Sequence, residues 1–229
     1  MNEWISGGIS VGVTLAVFIA MKRLYKRFPS PFLLPLLTSA AVLISFLLLF
    51  HIPYDAYMTG GRWLDGFLGP AVVAMAVPLY RHRQIVKRYL APILISVISG
   101  CFTAVLSGYF LAEAFGVNRR LLYTLLPKSV TTPVAMDLAE LLGGIPSLAA
   151  LFVIVAGLVG AVSGPYLMKW CKITHYLGKG IGLGSASHAI GTSKALEIGD
   201  KEGTASLVAM TLCAILTSVL IPLLLWFLH

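Results

Sequence analysis

The chain has 229 residues, 58% hydrophobic and only 11% charged, with a formal net charge of +8. Soluble domains average about 45–50% apolar and about 25% charged residues, so this composition excludes an ordinary soluble globule and points to a bilayer. The positive balance does not indicate nucleic acid, because the cations fall in short segments between apolar runs and form no long basic face.

Apolar runs at 5–21, 32–50, 63–80, 91–114, 146–168 and 203–228 each approach the ~20 residues with which a helix crosses ~30 Å of hydrocarbon. The amino-terminal MNEWISGG carries an acid and no basic region, so the first run reads as a retained helix that starts outside, not as a cleaved signal. Lys22, Arg23, Lys26 and Arg27, and then Arg81, Arg83, Lys87 and Arg88, mark cytoplasmic loops, since Lys and Arg resist translocation. Prolines 70, 78, 165 and 222 predict kinks inside apolar runs. Ala156, Gly160 and Gly164 predict a packing stripe on one helix. Cys101, Cys171 and Cys213 have no metal-site spacing and read as small packing residues, while His51, His82 and His175 sit near loops and read as interfacial.

Between the fourth and fifth runs lies LLPKSVTTPVAMD (125–137), and sixty positions later SASHAIGTSKALE (185–197). A full crossing at 121–143 would put the loop with Lys169, Lys172 and Lys179 outside; a segment that dips in and returns keeps it cytoplasmic. The expectation is therefore a re-entrant hairpin at 121–143 and a second at 176–199 from the opposite face. At an offset of sixty, Thr132, Ala135, Met136 and Asp137 fall on Thr192, Ala195, Leu196 and Glu197, although Tyr89-Leu90 against Tyr176-Leu177 offers a competing register. A hairpin plus one crossing changes sides once, so two such units are inverted relative to each other, as in many secondary transporters. The predicted fold is an all-α polytopic membrane protein with about six full transmembrane helices plus two re-entrant or broken hairpins in an inverted repeat. It forms a single transmembrane domain over 1–229: four helices in 1–114, a hairpin plus helix in 121–169 and another in 176–228.

Irregular backbone at membrane depth is tolerated only inside protein or beside a watery cavity, so both breaks should face inward. Thr132 is expected to cap a half-helix with Pro133 at its first position, and Thr192 to cap a second one behind a loosened arm containing Gly178, Gly180, Gly182 and Gly184. Two helix amino-termini near the midplane, with Lys128 and the hydroxyls of Ser129, Thr131, Ser187, Thr192 and Ser193, form a candidate site for a small anion. Thr132 and His188 belong to the same candidate set, His188 either as a proton carrier or as a hydrogen-bonded packing residue. Asp137, Glu197 and Lys194 are candidate counter-ions or coupling groups, with Lys194 close enough to Glu197 to pair. Ser129, His188 and Asp137 can be assembled on paper into a hydrolytic triad, but no nucleophile elbow, zinc motif or phosphate loop accompanies them. The expectation is no enzyme, no metal and no cofactor.

PKSVTTPVAMDLAELLGG and SHAIGTSKALEIG, with GPAVVAMAVPLY and SGPYL, closely resemble the LrgB/CidB family over essentially the whole chain. The resemblance implies either of two activities: a holin-like or antiholin-like component that controls murein hydrolases and lysis with a small LrgA/CidA-like membrane partner, or a carrier of monocarboxylates such as pyruvate, glycolate, glycerate or lactate. It also points to Lys128, Ser129, Thr131, Thr132, Pro133, Ser187, His188, Gly191 and Thr192 as the functional positions, and to a bacterial plasma or inner membrane. The sequence reading favours the carrier. A homo-oligomer is compatible with it.

Overall fold

The structure is a computed structural model that describes residues 3–28, 30, 33, 35–74, 76–81 and 83–228; His82 lies outside the described residues. All regular elements among them are helical, as hydrocarbon demands, because a helix satisfies its own backbone donors and acceptors. In chain order they are α1 (Glu3–Arg27), α2 (Pro35–Leu49), α3 (Tyr54–Asp65), α4 (Leu68–Ala74), α5 (Ala76–Arg81), α6 (Arg83–Arg88), α7 (Leu90–Ala114), α8 (Arg119–Leu125), α9 (Thr132–Leu141), α10 (Pro146–Trp170), α11 (Tyr176–Ile198) and α12 (Asp200–Leu228).

Four of these, α1, α7, α10 and α12, are long and apolar enough to cross a bilayer. The expected crossings at 32–50 and 63–80 differ from expectation. The first yields a 15-residue helix, α2, about 22 Å long at ~1.5 Å per residue. The second is divided among α3, α4 and α5. Gly66 terminates α3, and Pro70 and Pro78 each lie in the first turn of a short helix, the one place where a missing amide removes no helical hydrogen bond.

The chain forms two compact units, Met1–Ala71 and Val72–His229. In the first, α1 and α3 approach closely at glycines: a Cβ on Gly60 would run into the Gly7 carbonyl and the Ser10 side chain. The Thr14 and Tyr57 hydroxyls meet at 2.8 Å across the same pair.

The second unit holds both polar segments. One of its apolar clusters joins Ile93 and Val97 of α7, Leu177 and Ile181 of α11, and Ala205, Val208 and Ala209 of α12. Another joins Tyr109 and Ala112 at the far end of α7 with Leu122, Leu126, Leu138 and the far end of α12 at Ile221 and Leu225. The segment 119–141 thus packs at one end of this unit and the start of α11 at the other. The Tyr89 and Tyr176 rings stack edge to face, 6.4 Å between centroids, so the basic stretches 83–88 and 169–179 share that second end.

α11 folds back on itself. Lys179 in its first turn and Ile198 in its last line one cavity, whereas a straight helix would separate them by nearly 30 Å at ~1.5 Å per residue. Glycines permit this packing. A Cβ on Gly191 would strike the Leu183 backbone, and one on Gly184 would strike the Ser206 backbone of α12. At Gly182 the nearest obstacle is only the Met168 methyl, at 3.3 Å.

Gly184→Ala is therefore expected to destabilise the protein by about 1–3 kcal/mol, because overpacking against backbone outweighs the helix propensity gained. Gly182→Ala should be neutral or stabilising by up to ~1 kcal/mol. Thermal unfolding of the two variants in detergent micelles measures the difference.

Candidate functional site

The first break begins where α8 ends. The Asn118 side chain accepts a hydrogen bond from the Leu121 amide at 2.9 Å and starts α8, which tightens into a 3-10 turn over Leu126–Ser129. Pro127 departs from helical geometry there (φ −81, ψ 17), Val130 and Thr131 are extended, and α9 starts at Thr132. The cap residue is thus Thr131 and not Thr132, which is one residue into the helix. Pro133 occupies the second helical position and offers no amide, so the Thr131 hydroxyl loses one of its two usual capping donors. It is buried, 3% exposed, and has no hydrogen-bond partner.

Lys128 reaches from the 3-10 turn to α7, where its ammonium donates to the Ala104 carbonyl at 3.3 Å. Gly108, one turn further along α7, leaves the room it needs: a Cβ there would lie 2.9 Å from Nζ. That carbonyl is mid-helix, where it accepts the helical bond, and the Ser107 hydroxyl also donates to it at 3.3 Å, so Lys128 shares an acceptor already in use, at long range. Among the described residues the single ion pair is Lys194–Glu197, and the Lys128 charge has no carboxylate beside it.

The second break falls at His188 (φ 40, ψ −128), four residues before Thr192, the expected cap. Positive φ is strained for a side-chain-bearing residue and persists only where surroundings hold it. Here the ring is anchored on α10: Nε2 donates to the Val153 carbonyl at 2.9 Å, and Gly157 gives the ring its space. Because a carbonyl only accepts, the Nε2 proton is fixed, which favours the packing role for this nitrogen. Ser187, fully buried, lies against Gly160, where any Cβ would collide with its hydroxyl. That hydroxyl too has no partner. The α10 stripe that receives the hairpin runs through Gly157, Gly160 and Gly164, so Gly157 takes the place expected for Ala156.

Thr192 is not a cap. It lies within the returning arm, where its hydroxyl is 2.9 Å from Ser206 Oγ and donates weakly to Met210 Sδ at 3.7 Å, fastening that arm to α12. Gly191 is buried at the close approach of the two arms. Ser193 is exposed and lies away from the break. Lys194 and Glu197 pair at 2.7 Å with 38% and 40% of their side chains exposed, and Asp137 is exposed on α9. None of these three joins the buried polar groups at the breaks.

The two breaks meet at Cys213, near the middle of α12. Its sulfur lies 3.9 Å from the Ser129 carbonyl and 3.6 Å from that of Ser185. Cys101 of α7 approaches it at 3.0 Å between sulfurs, and the Thr217 hydroxyl donates to Cys101 at 3.5 Å. Packing was the role expected for both cysteines; their junction position had one trace in the sequence, since each falls near the centre of a long apolar run. Val130 and Val153, in one apolar cluster, join the first break to the α10 turn that holds His188. Lys128 and Thr192 themselves are on different faces of this junction, one against α7 and the other against α12.

No hydrogen bond links Ser129, His188 and Asp137 among the described residues: His188 bonds the Val153 carbonyl, the Ser129 carbonyl faces Cys213, and Asp137 is exposed on α9. No group of three or more His, Cys, Asp or Glu residues is placed to hold a metal among them either. What the junction does offer is a cation, two unpartnered hydroxyls and two helix starts within an apolar bundle.

Comparison with known proteins gives a consistent result. The family model described as the LrgB-like family matches residues 14–227. The chain is 49% identical over 221 residues to the uncharacterized protein YxaC of Bacillus subtilis (strain 168), covering 96% of each. It is 36% identical over 224 residues to the holin-like protein CidB of Staphylococcus aureus (strain N315), covering 98% of each, and 34% identical to the holin-like protein CidB of Staphylococcus epidermidis over the same span. No solved structure matches.

A buried hydroxyl without a partner costs about 1–3 kcal/mol in lost hydration. Ser187→Ala and Thr131→Val are therefore expected to leave the ligand-free protein as stable as before or about 1 kcal/mol more stable, measured by thermal unfolding in detergent. A loss of stability beyond 1 kcal/mol would show that these groups already have partners.

Proposed function

The chain belongs to the LrgB-like family of multi-pass membrane proteins, and we propose that it is a carrier of small monocarboxylates of the pyruvate, glycolate, glycerate or lactate kind, in the bacterial cell membrane. The observation that carries this reading is the convergence at Cys213 of two chain breaks packed from opposite ends of one helical unit. Each break contributes a buried hydroxyl with no protein partner, Thr131 or Ser187.

A carboxylate supplies what these groups lack. It has two oxygens that accept hydrogen bonds and a charge that complements Lys128. The starts of α9 and of the returning arm of α11 add unpaired amides and positive potential. Hairpin plus α10, followed by hairpin plus α12, gives two units of opposite direction, the architecture with which transporters alternate access around a fixed central site. In this reading Lys128, Thr131 and Ser187 bind, His188 and Thr192 hold the second break in shape, and no bond of the substrate is broken.

A second reading rests on the names of the staphylococcal relatives, holin-like CidB proteins. It makes the chain a membrane component acting on lysis with a small LrgA/CidA-like partner. A folded hydrolase needs a passage tens of ångströms wide, whereas the packed junction of α7, α10, α11 and α12 suits only a small molecule.

Proteoliposomes containing this chain alone, loaded with unlabelled pyruvate, glycolate or lactate, are expected to accumulate the labelled acid by saturable counterflow. Lys128→Gln should reduce that counterflow at least tenfold, since truncating one partner of a desolvated charge pair costs about 2–5 kcal/mol. Solute leakage that neither saturates nor shows counterflow would favour the holin-like reading.

A further inference from the structure

Outside the central junction, one cavity of about 390 Å³ opens where α10 ends and α11 begins and returns. Lys169, Lys172 and Lys179 line it with Thr174, and Ile173 and Ile198 provide apolar walls. Among the described residues no Asp or Glu lines it, and none of the three lysines takes part in an ion pair with them. Three ammonium groups around one recess repel one another unless an anion sits among them.

Its position decides which anion. Lys169 is in the last turn of a 25-residue apolar helix, so the recess is level with the edge of the hydrocarbon. Tyr166 and Trp170, 74% and 81% exposed on the same two turns, have the amphipathic character of residues at the membrane–water boundary. The basic stretch 83–88 is at this same end of the unit, which makes it the cytoplasmic end by the distribution of Lys and Arg. That face of a bacterial membrane presents anionic phospholipids.

We propose that the Lys169–Lys172–Lys179 recess binds the phosphate of an anionic phospholipid headgroup, with the Thr174 hydroxyl as a further donor and the Ile173–Ile198 wall beside the first acyl carbons. The first turn of α11, which carries Lys179, adds the positive end of its dipole. A bound headgroup ties the end of α10 to both ends of the second hairpin, and so braces the hairpin whose tip is the second break. This site is separate from the central one and stands whether or not the chain carries carboxylates.

The test uses the full chain purified in neutral detergent and titrated with phosphatidylglycerol, phosphatidylcholine or sn-glycerol 3-phosphate, read by native mass spectrometry and by Tm. Phosphatidylglycerol should bind at least about tenfold more tightly than phosphatidylcholine and raise Tm, at roughly 1 kcal/mol per lysine near an anionic lipid. Lys169→Gln with Lys172→Gln and Lys179→Gln should abolish the preference, while Lys22→Gln with Lys26→Gln and Arg27→Gln, removing equal charge elsewhere, should keep it. If the first triple variant does not fold, Lys172→Gln alone, in the exposed turn, should weaken binding about threefold. Equal binding of the two lipids by the native chain, equal loss in both triple variants, or no change in Lys172→Gln overturns the site. Saturation by sn-glycerol 3-phosphate with no added gain from the lipid overturns the lipid and assigns the recess to a soluble phosphate.

Discussion

A peptide group without a hydrogen bond costs several kcal/mol in hydrocarbon, and the second unit of this protein is organised around two places where the helix nevertheless stops. Both stops are buried in protein, and they share the surroundings that make them tolerable. Cys213 lies between their carbonyls, Val153 holds His188, and Val130 packs with Val153. Removing either hairpin would expose the backbone of the other, so the two form one interdependent core.

Small residues make that core geometrically possible. Gly157, Gly160 and Gly164 on α10, and Gly180, Gly184 and Gly191 in the second hairpin, all sit where a Cβ would meet a neighbour at under 3 Å. In a bilayer, lipid tails are as apolar as leucine, so helices gain little from hydrophobic burial against one another and depend on close packing. Glycine is a poor helix former by about 1 kcal/mol, and its concentration here marks where backbone proximity outweighs propensity. The same closeness explains why Ser187 is fully buried while its hydroxyl finds no partner on a glycine surface.

The polar groups fall into two kinds. Thr192 with Ser206, and His188 with Val153, have their hydrogen bonds made within the protein; they define shape. Thr131 and Ser187 have none, and Lys128 has one long bond to a carbonyl already in use. Groups of the second kind are retained at a cost in stability, which is what the proposed carrier role would explain, since a carboxylate held between the two breaks would remove that cost. The lysines that line the recess at the end of α10 follow the same logic, since among the described residues no carboxylate compensates them and the proposed headgroup would.

Composition and apolar periodicity determined the membrane setting, the helical class, the long helices α1, α7, α10 and α12, and the two polar interruptions, because each depends on local hydrophobicity and on local fit, such as that of Pro127, which departs from helical geometry, and Pro133, which suits the first turn of a helix. The tertiary structure decided the rest. Thr131 rather than Thr132 became the cap because Pro133 fits the second helical position, and the second break moved from Thr192 to His188 because α10 offers a carbonyl and a glycine gap at that height. Thr192 turned to α12 because Ser206 is opposite, whereas the Lys194–Glu197 pair, three residues apart, was legible in the sequence and only its place on the surface, away from the breaks, was not. The packing role of Cys101 and Cys213 was expected, and the crossing of α7 and α12 brought the two sulfurs together. The contacts behind these choices join residues 14 apart at Thr192–Ser206, 35 apart at His188–Val153 and 112 apart at Cys101–Cys213, separations that a local reading of the sequence does not resolve.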